Sequence, residues 1–258
     1  MHSILIFIYL LIAGIASGLL SSMAGLASLI SYPVLLSLGL PPVNANVTNT
    51  ASLVFTGIGS GISSVTELKS HKEDTIRVSI LSIAGAVGGS LLLTLAPAST
   101  FQRVVPLFIF MAGCLMLFSL RQDSKPFLFA KKQSQSLLKS FLANSAILLV
   151  GIYGGYFGAA AGIMLLSILS ITLTAPLPVS NAIKNFTSLI TNLIAIFIYT
   201  LTIKVYWLMV IPMGIGMFIG GYIGPIIVRR VPTRPLRICI SVAAFCLAGY
   251  LFYGAYFK

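Results

Sequence analysis

Lys184 is the residue whose type and place most demand a chemical explanation. It interrupts a stretch from Ser140 to Ile203 that otherwise holds no Lys, Arg, Asp or Glu. A charge set in so apolar a run costs a few kcal/mol and marks a functional site by default. No acidic residue stands in the same stretch to neutralise it. An anionic ligand is therefore its natural partner. The plainer alternative is that Lys184, one turn from a loop, snorkels its amine to the membrane interface.

Lys184 stands in a polar set that occurs twice. Asn44, Asn46, Thr48, Asn49, Thr50 and Ser52 are matched by Ser180, Asn181, Lys184, Asn185, Thr187 and Ser188. The first set follows Pro41-Pro42 and the second follows Pro176-Leu177-Pro178, and proline ends one helix and starts the next. Asn49 and Ser52 are three apart, as are Asn185 and Ser188, so each pair shares a helix face. Amide and hydroxyl donors there can replace the water around an oxyanion. Helix capping accounts for the first residues of each set, but not for donors that continue to Ser52 and Ser188.

A glycine-rich break precedes each set. Ser17-Gly18-Leu19-Leu20-Ser21-Ser22-Met23-Ala24-Gly25 matches Gly154-Gly155-Tyr156-Phe157-Gly158-Ala159-Ala160-Ala161-Gly162. Such density of Gly and Ser interrupts a helix and permits close backbone approach. Freed N–H groups at a half-helix start make an anion site. The competing reading is that these glycines are helix–helix packing positions. The candidate binding set is therefore Asn49, Ser52, Lys184, Asn185, Thr187 and Ser188, with Gly25, Gly158 and Gly162 opening the backbone.

The elements that position these residues are membrane helices. Of 258 residues, 58% are apolar and only 8% are charged, which excludes a soluble or disordered chain. Mean hydropathy is +1.05. The apolar runs predict helices over 4–20, 26–37, 46–66, 77–96, 102–120, 140–156, 160–174, 181–202, 205–228 and 236–256. Continuous rather than alternating runs exclude a β-barrel. The expected fold is an all-α polytopic membrane protein of about eight transmembrane segments, or ten if the two glycine-broken segments are hairpins.

The chain also reads as two homologous halves. Gly14, Gly18 and Gly25 recur as Gly151, Gly155 and Gly162, and Pro42, Val43, Asn49, Ser52 and Leu53 recur as Pro178, Val179, Asn185, Ser188 and Leu189. Gly88-Gly89 recurs as Gly220-Gly221, and Arg103 as Arg237. The halves are 1–120 and 140–258, joined by a basic linker, 121–139. Duplicated halves with a site between them are a transporter habit. If the broken segments are hairpins, only Arg103, Lys204 and Lys258 fall on the side opposite the remaining loop cations. That fits the positive-inside rule better than single crossings do. It makes the halves inverted repeats, the linker cytoplasmic and both termini external.

The remaining chemistry is mostly excluded. The net charge of +12 is spread thinly between apolar runs, without the basic patch and interleaved aromatics of a nucleic-acid binder. Cys114, Cys239 and Cys246 have no metal-ligand spacing, and no metal or cofactor is implied. The apolar N-terminus lacks the basic start of a secretory signal and reads as structure. His2 and His71, the only histidines, sit outside the spans, so a membrane enzyme would lack its base. Glu67, Glu73, Asp74 and Asp123 are the only acids, all in or beside polar loops, so a proton relay is missing. A monovalent anion leaving an inside-negative cell gains roughly 2.3 kcal/mol per 100 mV. Export can run on that alone.

With these residues in view, the chain resembles the sulfite exporter TauE/SafE family of membrane transporters. The glycine-rich break followed by Pro, Asn and Thr carries the resemblance, over Gly14–Leu53 and again over Gly151–Leu189, together with the later Gly-Gly helices. The resemblance implies transport of sulfur-containing anions such as sulfite or organosulfonates across the cytoplasmic membrane. The residues themselves point to a secondary transporter or facilitator of small anions. The alternative is a membrane assembly protein that transports nothing, and it predicts a dry, packed centre. Oligomeric state is not legible.

Overall fold

The computed structural model describes residues 2–122, 137–173 and 175–228, with scattered positions between 238 and 253. Residues 123–136 of the expected linker and most of the expected helix 236–256 lie outside the described residues. Among the described residues the fold is all-α. The helices are α1 His2–Ala24, α2 Ser28–Ser37, α3 Pro42–Ser63, α4 Val65–Ser70, α5 Lys72–Leu95, α6 Ala98–Gln122, α7 Leu137–Tyr156, α8 Ala161–Thr172, α9 Leu177–Thr200 and α10 Trp207–Val228.

Ser3–Ala24, Lys72–Leu95, Leu177–Thr200 and Trp207–Val228 are long and apolar enough to cross a membrane. The protein is thus an all-α membrane-spanning chain with at least four long apolar helices. Its outer surface is apolar: Leu208 is 87% exposed, while Asn49 and Ser52 are fully buried. That inversion follows from a solvent that cannot hydrogen-bond.

Two helix starts differ from the sequence reading. α3 and α9 begin about four residues earlier than 46 and 181, at Pro42 and Leu177. Proline in the first turn costs no hydrogen bond, because that N–H has no helical partner, so Pro42 and Pro178 belong to the helix. The asparagines thereby move inside the first turns, and neither helix has a side-chain cap of its own. The polar stretch 67–77 is also more ordered than a loop. It forms α4 and the start of α5, with Glu73 and Asp74 in α5's first turn, where acids favour the helix dipole.

Both expected breaks are present. α1 stops before Gly25, which adopts φ +76°. α7 stops at Tyr156, and Gly158 (φ +75°) and Ala160 (φ +64°) turn the chain into α8. Most other glycines serve packing, as the competing reading proposed. Gly14 and Gly18 of α1 face Met213, Gly216, Met217 and Gly221 of α10. Gly151 and Gly155 of α7 face Ser82, Gly85 and Ala86 of α5. Glycines four apart let two backbones touch, which is how helices associate in lipid.

The order of contacts sets the directions. Gly14 meets Met213, Gly18 meets Met217, and Ser22 meets Gly224, so α1 and α10 are parallel. The Tyr206 N–H donates to Thr48 Oγ1, and Gly59 meets Tyr222, so α3 runs the same way. Arg77 bonds Asn144 and Gly89 meets Tyr156, so α5 and α7 are parallel. Thr187 pairs with Ser79, and the Tyr199 hydroxyl donates to the Gly155 carbonyl, which adds α9 to that group. α3 and α9 cross in opposite senses: Gly57 meets Leu189, while Asn46 reaches Tyr156 beside Tyr199's partner. Because α1 and α3 are parallel, α2 must carry the chain back between them, and α8 does the same between α7 and α9.

Contacts also refine one match. Gly89 meets Ile152 and Tyr156, and Gly220 meets the matched Ile15 and Leu19. Gly89 and Gly220 thus make like contacts in their two helix pairs. A Gly-Gly pair is its own neighbour, so sequence alone aligns it either way.

Candidate functional site

The two breaks meet. A Cβ placed on Gly25 would lie 2.5 Å from the Gly162 backbone, and the converse holds for Gly162. Beside this crossing is a cavity of about 60 Å³, lined about equally by polar and apolar surface. Pockets for drug-sized ligands run from about 300 Å³ upward, so this one suits an ion of few heavy atoms. Ser21, Ser28, Thr50, Ser188, Thr191 and Asn192 supply its polar side chains.

Four half-helix ends reach the wall: the end of α1 at Ser21, the start of α2 at Ser28, the end of α7 at Gly154, and the start of α8 at Gly162. The two N-termini carry no side-chain cap. The N–H groups of Leu29 and Ile30 donate to the Leu26 and Ala27 carbonyls, and those of Ala161 and Ile163 to the Gly158 and Ala160 carbonyls, so these starts face the cavity with the partial positive charge of their helix dipoles. The two C-termini, by contrast, are well covered. Lys184 Nζ donates to the Ser21 carbonyl at 2.9 Å and to the Ser22 carbonyl at 3.3 Å. Asn181 and Asn185 donate to the same Ser22 carbonyl at 2.9 and 3.1 Å. At the end of α7, Asn46 donates to the Tyr156 carbonyl at 3.3 Å, and the Tyr199 hydroxyl to Gly155. The asparagines at the starts of α3 and α9 thus cap other helices instead of their own.

The nine sequence-selected residues separate into three groups. Gly25, Gly158, Gly162 and Ser188 line the cavity. Asn49, Lys184 and Asn185 stand one layer back and hold the walls. Asn49 donates to Ser28 Oγ at 3.0 Å and accepts from Ser31 Oγ at 2.5 Å, fixing α2. Ser52 and Thr187 do not reach the wall. Ser52 donates to its own helix at Thr48, and Thr187 pairs with Ser79 at 3.3 Å. The set missed Ser21, Ser28, Thr50, Thr191 and Asn192. Thr191 and Asn192 are three and four residues beyond Ser188, so the same helix-face spacing extended by one turn finds them.

Lys184 is 1% exposed, so it does not snorkel. Among the described residues, no cluster of His, Cys, Asp or Glu could hold a metal ion.

An apolar helical shell around two broken helices and a small polar cavity defines a membrane transporter. The sulfite exporter TauE/SafE family model matches residues 10–251, and the chain belongs to that family; it is not an enzyme. It is 24% identical over 242 residues to a Sinorhizobium sp. protein described as "Probable membrane transporter protein ORF9", covering 91% of this chain and 89% of that one. A Haemophilus influenzae protein described as "Probable membrane transporter protein" is 25% identical, over 93% and 92% of the two chains. The "Probable membrane transporter protein YfcA" of Escherichia coli K12 is 24% identical, over 93% and 87%. No solved structure matches the chain.

Proposed function

We propose that this transporter is a secondary carrier or facilitator of small anions, with sulfite or a small organosulfonate as cargo and export as its direction. One observation carries the reading: two uncapped half-helix N-termini, one from each break, meet at a single small polar cavity. The positive ends of their dipoles draw an oxyanion, and hydroxyls on α2, α3 and α9 complete the shell. Gly25, Gly158, Gly162 and Ser188 form the wall, Asn49, Lys184, Asn185 and Thr187 hold the surrounding helices, and Ser52 bonds within α3. A polar cavity at the crossing supports transport over the assembly reading, which requires a packed centre.

The two parallel triplets, α1, α3, α10 and α5, α7, α9, oppose each other. That supports inverted repeats over 1–120 and 140–258, with the broken segments as hairpins and ten spans. The linker 121–139 is then cytoplasmic and both termini are external, in the cytoplasmic membrane. A cytoplasmic reporter signal from a fusion after Lys258 would reverse this orientation.

The test of function is efflux of labelled sulfite from proteoliposomes. Wild-type protein is expected to carry it, and Asn192→Leu, which puts an apolar group on the wall, to lose at least tenfold. Wild-type protein that moves no small anion would refute the proposal.

A further inference from the structure

The charges around the cavity point to the valence of its cargo. Each helix N-terminus is equivalent to about +0.5 of an elementary charge, and each C-terminus to about −0.5. The wall takes two of each, from α2 and α8 and from α1 and α7. These half-charges cancel, and what remains is Lys184. Its amine is 2.9 Å from the carbonyl of Ser21, a wall residue. The partners of that amine are main-chain carbonyls, which hold its protons but carry no formal charge. Of the described acids, Glu67 lies on α4, and Glu73 and Asp74 in the first turn of α5, all away from the wall. With the Lys184 amine protonated, the site has a net charge of about +1 before any ligand enters.

We propose that this cavity accepts singly charged anions and rejects doubly charged ones of the same shape, with Lys184 setting that valence. The inference rests on the anion-transport reading and sharpens it. A monoanion, such as a sulfonate or the hydrogensulfite form of sulfite, neutralises the buried charge. A dianion leaves one negative charge unpaired inside the protein, which its desolvation penalises. Lys184 acts as a positioning residue: it fixes the α1 end and the local charge without touching the cargo.

Methanesulfonate and sulfate provide the test. Both are tetrahedral sulfur anions, and they differ by one methyl for one oxygen and by one charge. In proteoliposomes of the full chain at matched ionic strength, methanesulfonate is expected to pass at least a hundredfold faster than sulfate. Lys184→Met is expected to slow methanesulfonate at least tenfold, and Lys184→Arg to retain most of the flux. The wild-type comparison stands even where a variant does not reconstitute. Sulfate passing as fast as methanesulfonate overturns the valence inference and leaves anion transport in place. Failure of both anions, and of sulfite, overturns the transport reading beneath it.

Discussion

The ends of α1 and α7 are matched in sequence and in neighbours, yet they are closed differently. α1 ends under Lys184, Asn181 and Asn185, all from α9. α7 ends under Asn46 of α3 and Tyr199 of α9, both neutral. The backbone geometry is thus used twice and the charge only once. Thr48, the sequence match of Lys184, instead accepts the Tyr206 N–H at 3.2 Å and secures the start of α10. Two symmetric cations would have left a surplus of two charges in one small cavity. One cation leaves a surplus that a single monoanion can balance.

The largest effect is expected where the breaks themselves are compared. Gly25 combines a positive φ with contact against the Gly162 backbone. Gly158 has the same φ, but a Cβ there would lie 3.0 Å from the Gly154 carbonyl. An alanine at Gly158 adds backbone strain of about 1–2 kcal/mol. An alanine at Gly25 adds the same strain and separates the two breaks, for about 3 kcal/mol or more in total. Thermal unfolding in detergent should rank Gly25→Ala well below Gly158→Ala. Equal midpoints would mean that the crossing of the breaks contributes nothing to stability.

A smaller effect tests the unequal charge. Lys184→Thr should reduce anion flux at least tenfold, about 1.4 kcal/mol, since the anion loses a buried counter-charge. Adding Thr48→Lys, which moves the charge to the matched position, should recover part of that flux. The double variant performing worse than Lys184→Thr alone would show that place matters and charge alone does not.

Much of this was legible in the sequence. Positive-φ breaks at Gly25 and Gly158 follow from glycine and serine density, and the helices follow from apolar runs. The reading of two halves rests on Pro and Asn, which are uncommon in apolar sequence. What could not be read was which polar side chain faces the cavity and which holds a neighbour. Asn49 and Ser188 have the same composition signal, yet Asn49 is committed to Ser28 and Ser31 while Ser188 lines the wall. That choice depends on which helix lies opposite, and helix pairing between distant segments leaves no local trace. That α10 packs with α1 and α3, and α5 with α7 and α9, is hidden for the same reason.

The smallest effect separates redundant from single caps. The Ser22 carbonyl receives three donors, from Asn181, Lys184 and Asn185. Removing one leaves it satisfied. Asn181 also has a buried amide oxygen without a partner, so Asn181→Ala removes an unsatisfied acceptor along with the donor. The net change should be within about 0.5 kcal/mol. Asn46 likewise has a buried amide oxygen without a partner, but its N–H is the side-chain donor recorded on the Tyr156 carbonyl. Asn46→Ala should cost about 1 kcal/mol more than Asn181→Ala, because a buried helix end then loses one donor. Unfolding of both variants in the same detergent decides it. The reverse order would mean that the end of α7 is held chiefly by Tyr199, with Asn46 contributing little.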